Sequence, residues 1–107
     1  MNQRNEKIAN SIKELAAQFL SRENDRTSLI TITACTVSPD LKRATIFITV
    51  FPETKEKDAL DFIKRKLKEL REFLKKSLQI KIIPFLEVAI DQGEKNRQKI
   101  DELLREK

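Results

Sequence analysis

Apolar residues at Ile8, Ile12, Leu15, Phe19 and Leu20 recur three and four positions apart, with charged or small residues between them. This is the stripe of an amphipathic helix, and it predicts a first helix over roughly residues 5 to 20. The polar stretch Ser21 to Ser28 breaks the period. Beyond it the repeat shortens to two: Ile30, Ile32 and Ala34 alternate with Thr31, Thr33 and Cys35, which marks a strand. Ser38-Pro39-Asp40 reads as a turn, because proline presets one backbone angle and the flanking Ser and Asp side chains can bond nearby amides. On its far side Ala44, Ile46, Ile48 and Val50 alternate with Thr45, Phe47, Thr49 and Phe51, predicting a second strand paired antiparallel with the first.

Pro52 to Asp58 reads as a charged connector, and from Ala59 to Leu78 the residues Leu60, Ile63, Leu67, Leu70, Leu74 and Leu78 return to helical spacing. A third extended segment lies within Ile80 to Asp91, with Leu86, Val88 and Ile90 alternating against Glu87, Ala89 and Asp91. Pro84 donates no backbone hydrogen bond, which suits an edge position or a strand start. The single glycine, Gly93, follows, and Ile100, Leu103 and Leu104 mark a short terminal helix. The rest of that segment, about residues 93–107, is mostly charged, so it is expected to be weakly anchored and to fray. The order helix, strand, strand, helix, strand, helix predicts an α+β fold. Its aliphatic strand residues should face the helices, leaving Thr31, Thr33, Thr45, Phe47, Thr49 and Glu87 on the opposite sheet face. At 107 residues, the chain is expected to form one domain around one core.

Charge alters this picture by being local. The 22 lysines and arginines exceed the 17 aspartates and glutamates by five, and the pI is about 9.5, a balance that favours polyanionic partners. From Lys64 to Lys81 there are eight basic residues against Glu69 and Glu72, a net of +6, so the remainder of the chain carries −1. At about 100° per residue, Ile63, Leu67, Leu70 and Leu74 form one row of the second helix, and Lys64, Lys68, Arg71 and Lys75 form another a quarter turn away. That second row contains no acid, whereas a third row, Arg65, Glu69, Glu72 and Lys76, mixes signs as ordinary helix-surface pairing does. A merely solvated lysine face is the competing reading. An acid-free row on so basic a chain points instead to phosphate contact, which is electrostatic and salt-sensitive. Phe47 and Phe51 offer rings for stacking on unpaired bases, against the commoner use of aromatics in cross-strand packing.

The composition also excludes chemistry. There is no histidine and only one cysteine, Cys35, which removes most metal sites, any disulfide within one chain and the usual base for a thiol nucleophile. Asp40 belongs to a turn and Asp91 ends a strand, and nothing in the pattern brings the two together for acid–base work. One glycine cannot build a phosphate-cradling loop. The expectation is a protein that is not an enzyme, with no metal, no cofactor and no small-molecule substrate. Charges at Arg4, Glu6, Lys7, Lys13 and Glu14 interrupt any secretory apolar core, and no apolar run approaches the roughly 20 residues that span a bilayer. A cytoplasmic location away from membranes is therefore expected.

Val37-Ser38-Pro39-Asp40-Leu41, followed by Ala44 and an alternating strand, resembles the signature hairpin of the ribosome-binding factor A family. Arg4 to Ile8 is similar to that family's basic opening of helix one, and Phe73-Leu74-Lys75-Lys76 to its phenylalanine-basic segment in helix two. Pro84-Phe85-Leu86 through Asp91 resembles its last strand, and Ile100-Asp101-Glu102-Leu103-Leu104 its closing helix. The match is collinear over nearly the whole chain. The resemblance implies a type II KH-like domain over residues 1–107, with helices on one face of a three-stranded sheet. It also implies binding to the maturing small (30S) ribosomal subunit at its 16S rRNA, help in late rRNA processing, release before translation and a role in cold adaptation.

Two departures stand out. Where the family interrupts helix two with alanine, any residue and glycine, this chain has Leu70-Arg71-Glu72, which favours a continuous helix and moves the expected RNA contact towards Lys64, Lys68 and Lys75. Before the first strand the family's Asp-Pro-Arg appears as Asp25-Arg26 without proline. The leading expectation is a monomeric assembly factor that binds RNA through Lys64, Lys68, Arg71, Lys75 and Lys76, assisted by Arg4, Lys7, Lys42 and Arg43. A generic KH-type RNA-binding module, or an adaptor whose basic helix meets an acidic protein, remain as alternatives.

Overall fold

The amphipathic N-terminal stripe forms α1 (Gln3–Glu23), whose Ile12, Ala16, Phe19 and Leu20 are buried along one face. The computed structural model describes residues 3–23, 29–78, 80 and 82–105, and Asp25, Arg26, Lys81 and the side chain of Arg4 lie outside what is described. The two alternating segments are β1 (Leu29–Val37) and β2 (Arg43–Phe51), paired antiparallel from Leu29 opposite Phe51 to Val37 opposite Ala44. The turn between them is closed as its side chains predict. Ser38 Oγ donates to Asp40 Oδ1 at 2.6 Å, while Asp40 Oδ1 and Ser38 Oγ accept from the backbone N–H groups of Lys42 and Arg43, each at 3.0 Å.

After β2, one turn of 3₁₀ helix at Glu53–Lys55 leads into α2 (Glu56–Ser77). The helix thus begins within the segment expected to be a connector, Glu56 and Asp58 occupying its first turn, where acids complement the helix dipole. It runs unbroken through Leu70-Arg71-Glu72, as expected for residues without glycine. Then β3 (Phe85–Ile90) joins the free side of β2 in parallel, giving the order β1-β2-β3 with Pro84 just before the strand start. The last element, α3 (Gln92–Arg105), is longer than the short segment its apolar residues mark.

The core lies between the sheet and the paired helices α1 and α2. Ala44, Ile46, Ile48 and Val50 of β2, Ile63, Leu70 and Leu74 of α2, and Ile83 and Leu86 are buried there with the α1 stripe. One expectation about the sheet fails. Pairing steps from Ile32–Ile48 to Ala34–Phe47, so Thr33 is the extra residue of a bulge. Beyond it the alternation of β1 inverts: Ala34 shares the open face with Phe47, while Cys35 and Val37 turn in against the core. Thr31, Thr45, Phe47, Thr49 and Glu87 do share the open face by register.

α3 stands apart from this core. Asp91 caps its start, Oδ1 accepting from the Glu94 N–H at 3.0 Å. Lys95 Nζ pairs with Glu53 Oε1 at 2.6 Å and Glu56 Oε2 at 3.0 Å, and Lys99 reaches Glu53 Oε1 at 3.2 Å. Its Ile100, Leu103 and Leu104 remain 57%, 66% and 63% exposed, so its described attachments are polar.

Candidate nucleic-acid interface

α2 meets α1 along one flank and leaves the other free. On the α1 side the rings of Phe19 and Phe73 lie 5.9 Å apart, with the Arg22 guanidinium 5.1 Å above Phe73, and Lys66 pairs with Glu23 at 3.6 Å. Ile63, Leu70 and Leu74 point into the core. A rotation of roughly 100° from Ile63 brings up Lys64, Lys68, Arg71 and Lys75, the acid-free row, on the flank away from α1. Lys64 and Lys68 are exposed, and neither has an ion-pair partner among the described residues.

The other members of the row are partly committed. The Arg71 guanidinium donates to the Pro84 carbonyl at 3.0 Å and is partly buried, bracing α2 against the segment that enters β3. Lys75 pairs with Glu72 at 3.5 Å, one turn back, which sets a carboxylate beside the row at that end. The surface pairing expected of Arg65 and Lys76 is instead made by Lys66 with Glu69 at 3.4 Å and by Lys75 with Glu72. Lys76 is exposed about 100° further round the helix, outside the row. Lys57 is a residue that sequence reasoning passed over. It lies seven positions before Lys64, two turns back on the same flank, and is exposed; the signal was that spacing, hidden when the charge was counted only from Lys64.

The remaining candidates come from two other elements. Lys42, in the β1–β2 turn, and Arg71 line the same groove, together with Ile8 of α1, the neighbour of exposed Lys7. Arg43 reaches Glu87 at 3.9 Å across the open face, with its own side chain 70% exposed. The structure therefore gathers Arg71, Lys42 and the start of α1 around one groove and sets Lys68 one turn and Lys64 two turns back along α2. Phe47 is only partly exposed, flanked by Ala34 and Ala89, whereas Phe51 is exposed beside Leu29 at the sheet's far end.

The groups with catalytic names are held in structural roles. Burial pushes the Cys35 thiol up to about 11, so it is protonated at neutral pH. The Ser38 hydroxyl and then the Lys42 N–H hold Asp40 below the usual carboxylate range, and the Glu94 N–H followed by the Thr33 hydroxyl do the same for Asp91. Asp40 lies by the start of β2, and Asp91 follows the end of the parallel β3, so the two mark opposite ends of the sheet. Among the described residues no cluster of His, Cys, Asp and Glu has the make-up to hold a metal ion, and no helix is long and apolar enough to cross a membrane.

Comparison with known proteins gives a consistent result. The family model described as Ribosome-binding factor A matches residues 4–104. The Ribosome-binding factor A of Coxiella burnetii is 29% identical over 106 residues, covering 97% of this chain and 89% of that protein. The Paenarthrobacter aurescens protein of the same name is 34% identical over 103 residues, covering 94% of this chain and 62% of that protein. The crystal structure of ribosome-binding factor A from Thermus thermophilus superposes with a TM-score of 0.69 at 24% identity, over 80% of this chain and 94% of that one. A homology model of the Thermus thermophilus factor, fitted into the cryo-EM map of a 30S–RbfA complex, gives 0.67 at 23% identity, over 76% and 88%. The fold is the KH-like one, with the order α-β-β-α-β and a closing helix.

Proposed function

This chain belongs to the ribosome-binding factor A family, and from that membership we propose that it is a cytoplasmic, monomeric assembly factor, not an enzyme, that binds the maturing 30S subunit through 16S rRNA. A single domain over residues 1–107 carries this activity, assisting late rRNA processing and growth in the cold. The Thermus thermophilus factor was fitted into the map of a 30S complex, which supports a small-subunit partner for this relative.

The observation that carries the reading is the free flank of α2. Lys64 and Lys68 stand exposed in a row without acids, with Arg71 and Lys75 continuing it. A rigid helix holding cations at intervals of one turn contacts successive phosphates, and such contacts position a protein on RNA while RNA shape supplies selectivity. Arg43, Lys42, Lys7 and Arg4 extend the footprint towards the β1–β2 turn and the start of α1, and Lys76 adds a cation on the adjoining face of α2. Lys57 joins it at the other end.

The test is the double substitution Lys64→Glu with Lys68→Glu, titrated with small subunits over a range of salt. Each lost phosphate contact should lower the slope of log affinity against log salt by about one unit, with a large loss of affinity at low salt. An unchanged affinity and slope would place the RNA contact elsewhere.

A further inference from the structure

Between the start of α1, the β1–β2 turn and the segment entering β3 lies an open groove of about 870 Å³. Ile8, Leu41, Ile80, Ile82, Pro84 and Phe85 supply its apolar wall. Ile82 and Phe85 are 77% and 61% exposed, and they stand together in the wall of one groove. Leu41 is held at φ 62°, the left-handed conformation that normally falls to glycine or asparagine, and it too lines the groove. The phosphate-binding reading of Lys64 and Lys68 uses none of these side chains.

Cations outnumber carboxylates by two to one among the described residues that line the groove. Lys42 and Arg71 are the cations, and Asp40 is the one carboxylate in the lining, already engaged by the Ser38 hydroxyl and the Lys42 N–H. A nucleobase pocket needs planar faces above and below the ring, with donors and acceptors along its edge. Here the walls are aliphatic apart from the single ring of Phe85, and the Pro84 carbonyl is taken by Arg71. The volume suits several apolar side chains, as when an amphipathic helix lays its apolar face into a groove.

We propose that this groove is a docking site for a partner protein, which inserts the apolar face of an amphipathic helical segment between Leu41, Ile82 and Phe85 and sets flanking carboxylates against Lys42 and Arg71. The chemistry of the partner follows from that of the groove: two or more aliphatic or aromatic side chains at helical spacing, with aspartate or glutamate beside them. The site is separate from the Lys64–Lys68 row, meeting it only at Arg71. It shares Lys42 and Arg71 with the proposed RNA footprint, whereas its apolar wall at Ile80, Ile82 and Phe85 lies outside that footprint.

The test begins by selecting peptides from a random 15-residue library on the immobilised full chain, followed by titration of the selected peptide into protein labelled at isoleucine methyls. The proposal predicts an enriched pattern of apolar residues three and four apart with flanking acids, shifting the methyls of Ile8, Ile80, Ile82 and Ile83. Because Ile82 is exposed, Ile82→Ser should leave the fold intact and weaken the peptide at least tenfold, while Ile82→Val restores binding to within about threefold of the original. A uridine oligonucleotide, drawn by charge to Lys42, Arg71 and the start of α1, should leave the methyls of Ile80 and Ile82 unmoved. Failure to enrich any such pattern, binding that ignores Ile82→Ser, or shifts of the Ile80 and Ile82 methyls caused by the oligonucleotide would each overturn the proposal.

Discussion

Thr33 Oγ1 donates to Asp91 Oδ2 at 2.5 Å, tying the bulge of β1 to the cap of α3 across the width of the sheet. Thr33 Oγ1 also lies 3.3 Å from the Phe47 carbonyl of the intervening strand. The extra residue in β1 thus has a stated use: it delivers a hydroxyl to the carboxylate that starts the last helix. Since Ile100, Leu103 and Leu104 are exposed, α3 relies on this cap and on Lys95 and Lys99 to stay in place.

Thr33→Val removes the hydroxyl and keeps the shape. A hydrogen bond to a charged group at this half-buried site contributes on the order of 1 kcal/mol. Amide exchange should accordingly rise in α3 while the β1–β2 amides stay protected. The folded Asp91 carboxyl is held below its ordinary range, so its contribution is present above the unfolded value and is lost as pH falls through the folded one. Carbonyl NMR titration should find that folded value higher in Thr33→Val, so that α3 loosens earlier on acidification. Unchanged exchange and titration would deny the link.

Gly93→Ala should be tolerated or stabilising. Gly93 does not have positive φ, and an added Cβ would stand 3.6 Å from Asp91 Oδ1, an ordinary contact. Alanine in the first turn of α3 should add about 0.5–1 kcal/mol to that helix by lowering the entropy of the open chain. Exchange protection in α3 measures it, and a loss of protection would contradict the account.

Cys35 should be a slow thiol. With its value at about 11, the thiolate fraction near pH 8 is roughly a hundredfold below that of a free cysteine, so alkylation should slow at least in proportion until the protein is denatured. The sign for stability follows: the unfolded thiol ionises first, so stability falls as pH rises from the ordinary thiol value towards the folded one. Rapid labelling of the native protein would show Cys35 to be open to solvent.

Much of this was legible because burial imposes a period. The α1 and α2 stripes and the alternation of β2 each name a face that the core then occupies. β1 misled at Ala34 because a bulge adds one residue without altering composition, so the period of two reads straight through it. The start of α2 was hidden because its first turn is charged for the dipole rather than apolar for the core, and Lys57 was hidden with it. Of the proposed RNA-binding residues, the helical angle placed Lys64, Lys68, Arg71 and Lys75 on one flank. It could not foresee that Arg71 would reach Pro84 or that Lys75 would pair with Glu72, since both depend on side-chain reach. The groove was invisible to pattern, being assembled from three separated segments and a leucine at positive φ.

The Lys75–Glu72 pair gives a test with the opposite direction to charge reversal. Both side chains are more than half exposed, so the pair is weak and well screened. Glu72→Gln frees Lys75 and removes a carboxylate beside the row, so affinity for small-subunit RNA should rise about twofold to threefold at low salt and converge with the original at high salt. A decrease would mean that Glu72 itself contacts the partner.

The most direct measurement of the central claim is co-sedimentation of the tagged chain with purified small subunits, large subunits and whole ribosomes at two salt concentrations. The account predicts co-migration with free small subunits alone, weakened at the higher salt and lost in Lys64→Glu with Lys68→Glu. Equal binding to all three particles, or binding to small subunits indifferent to salt and to both substitutions, would contradict it.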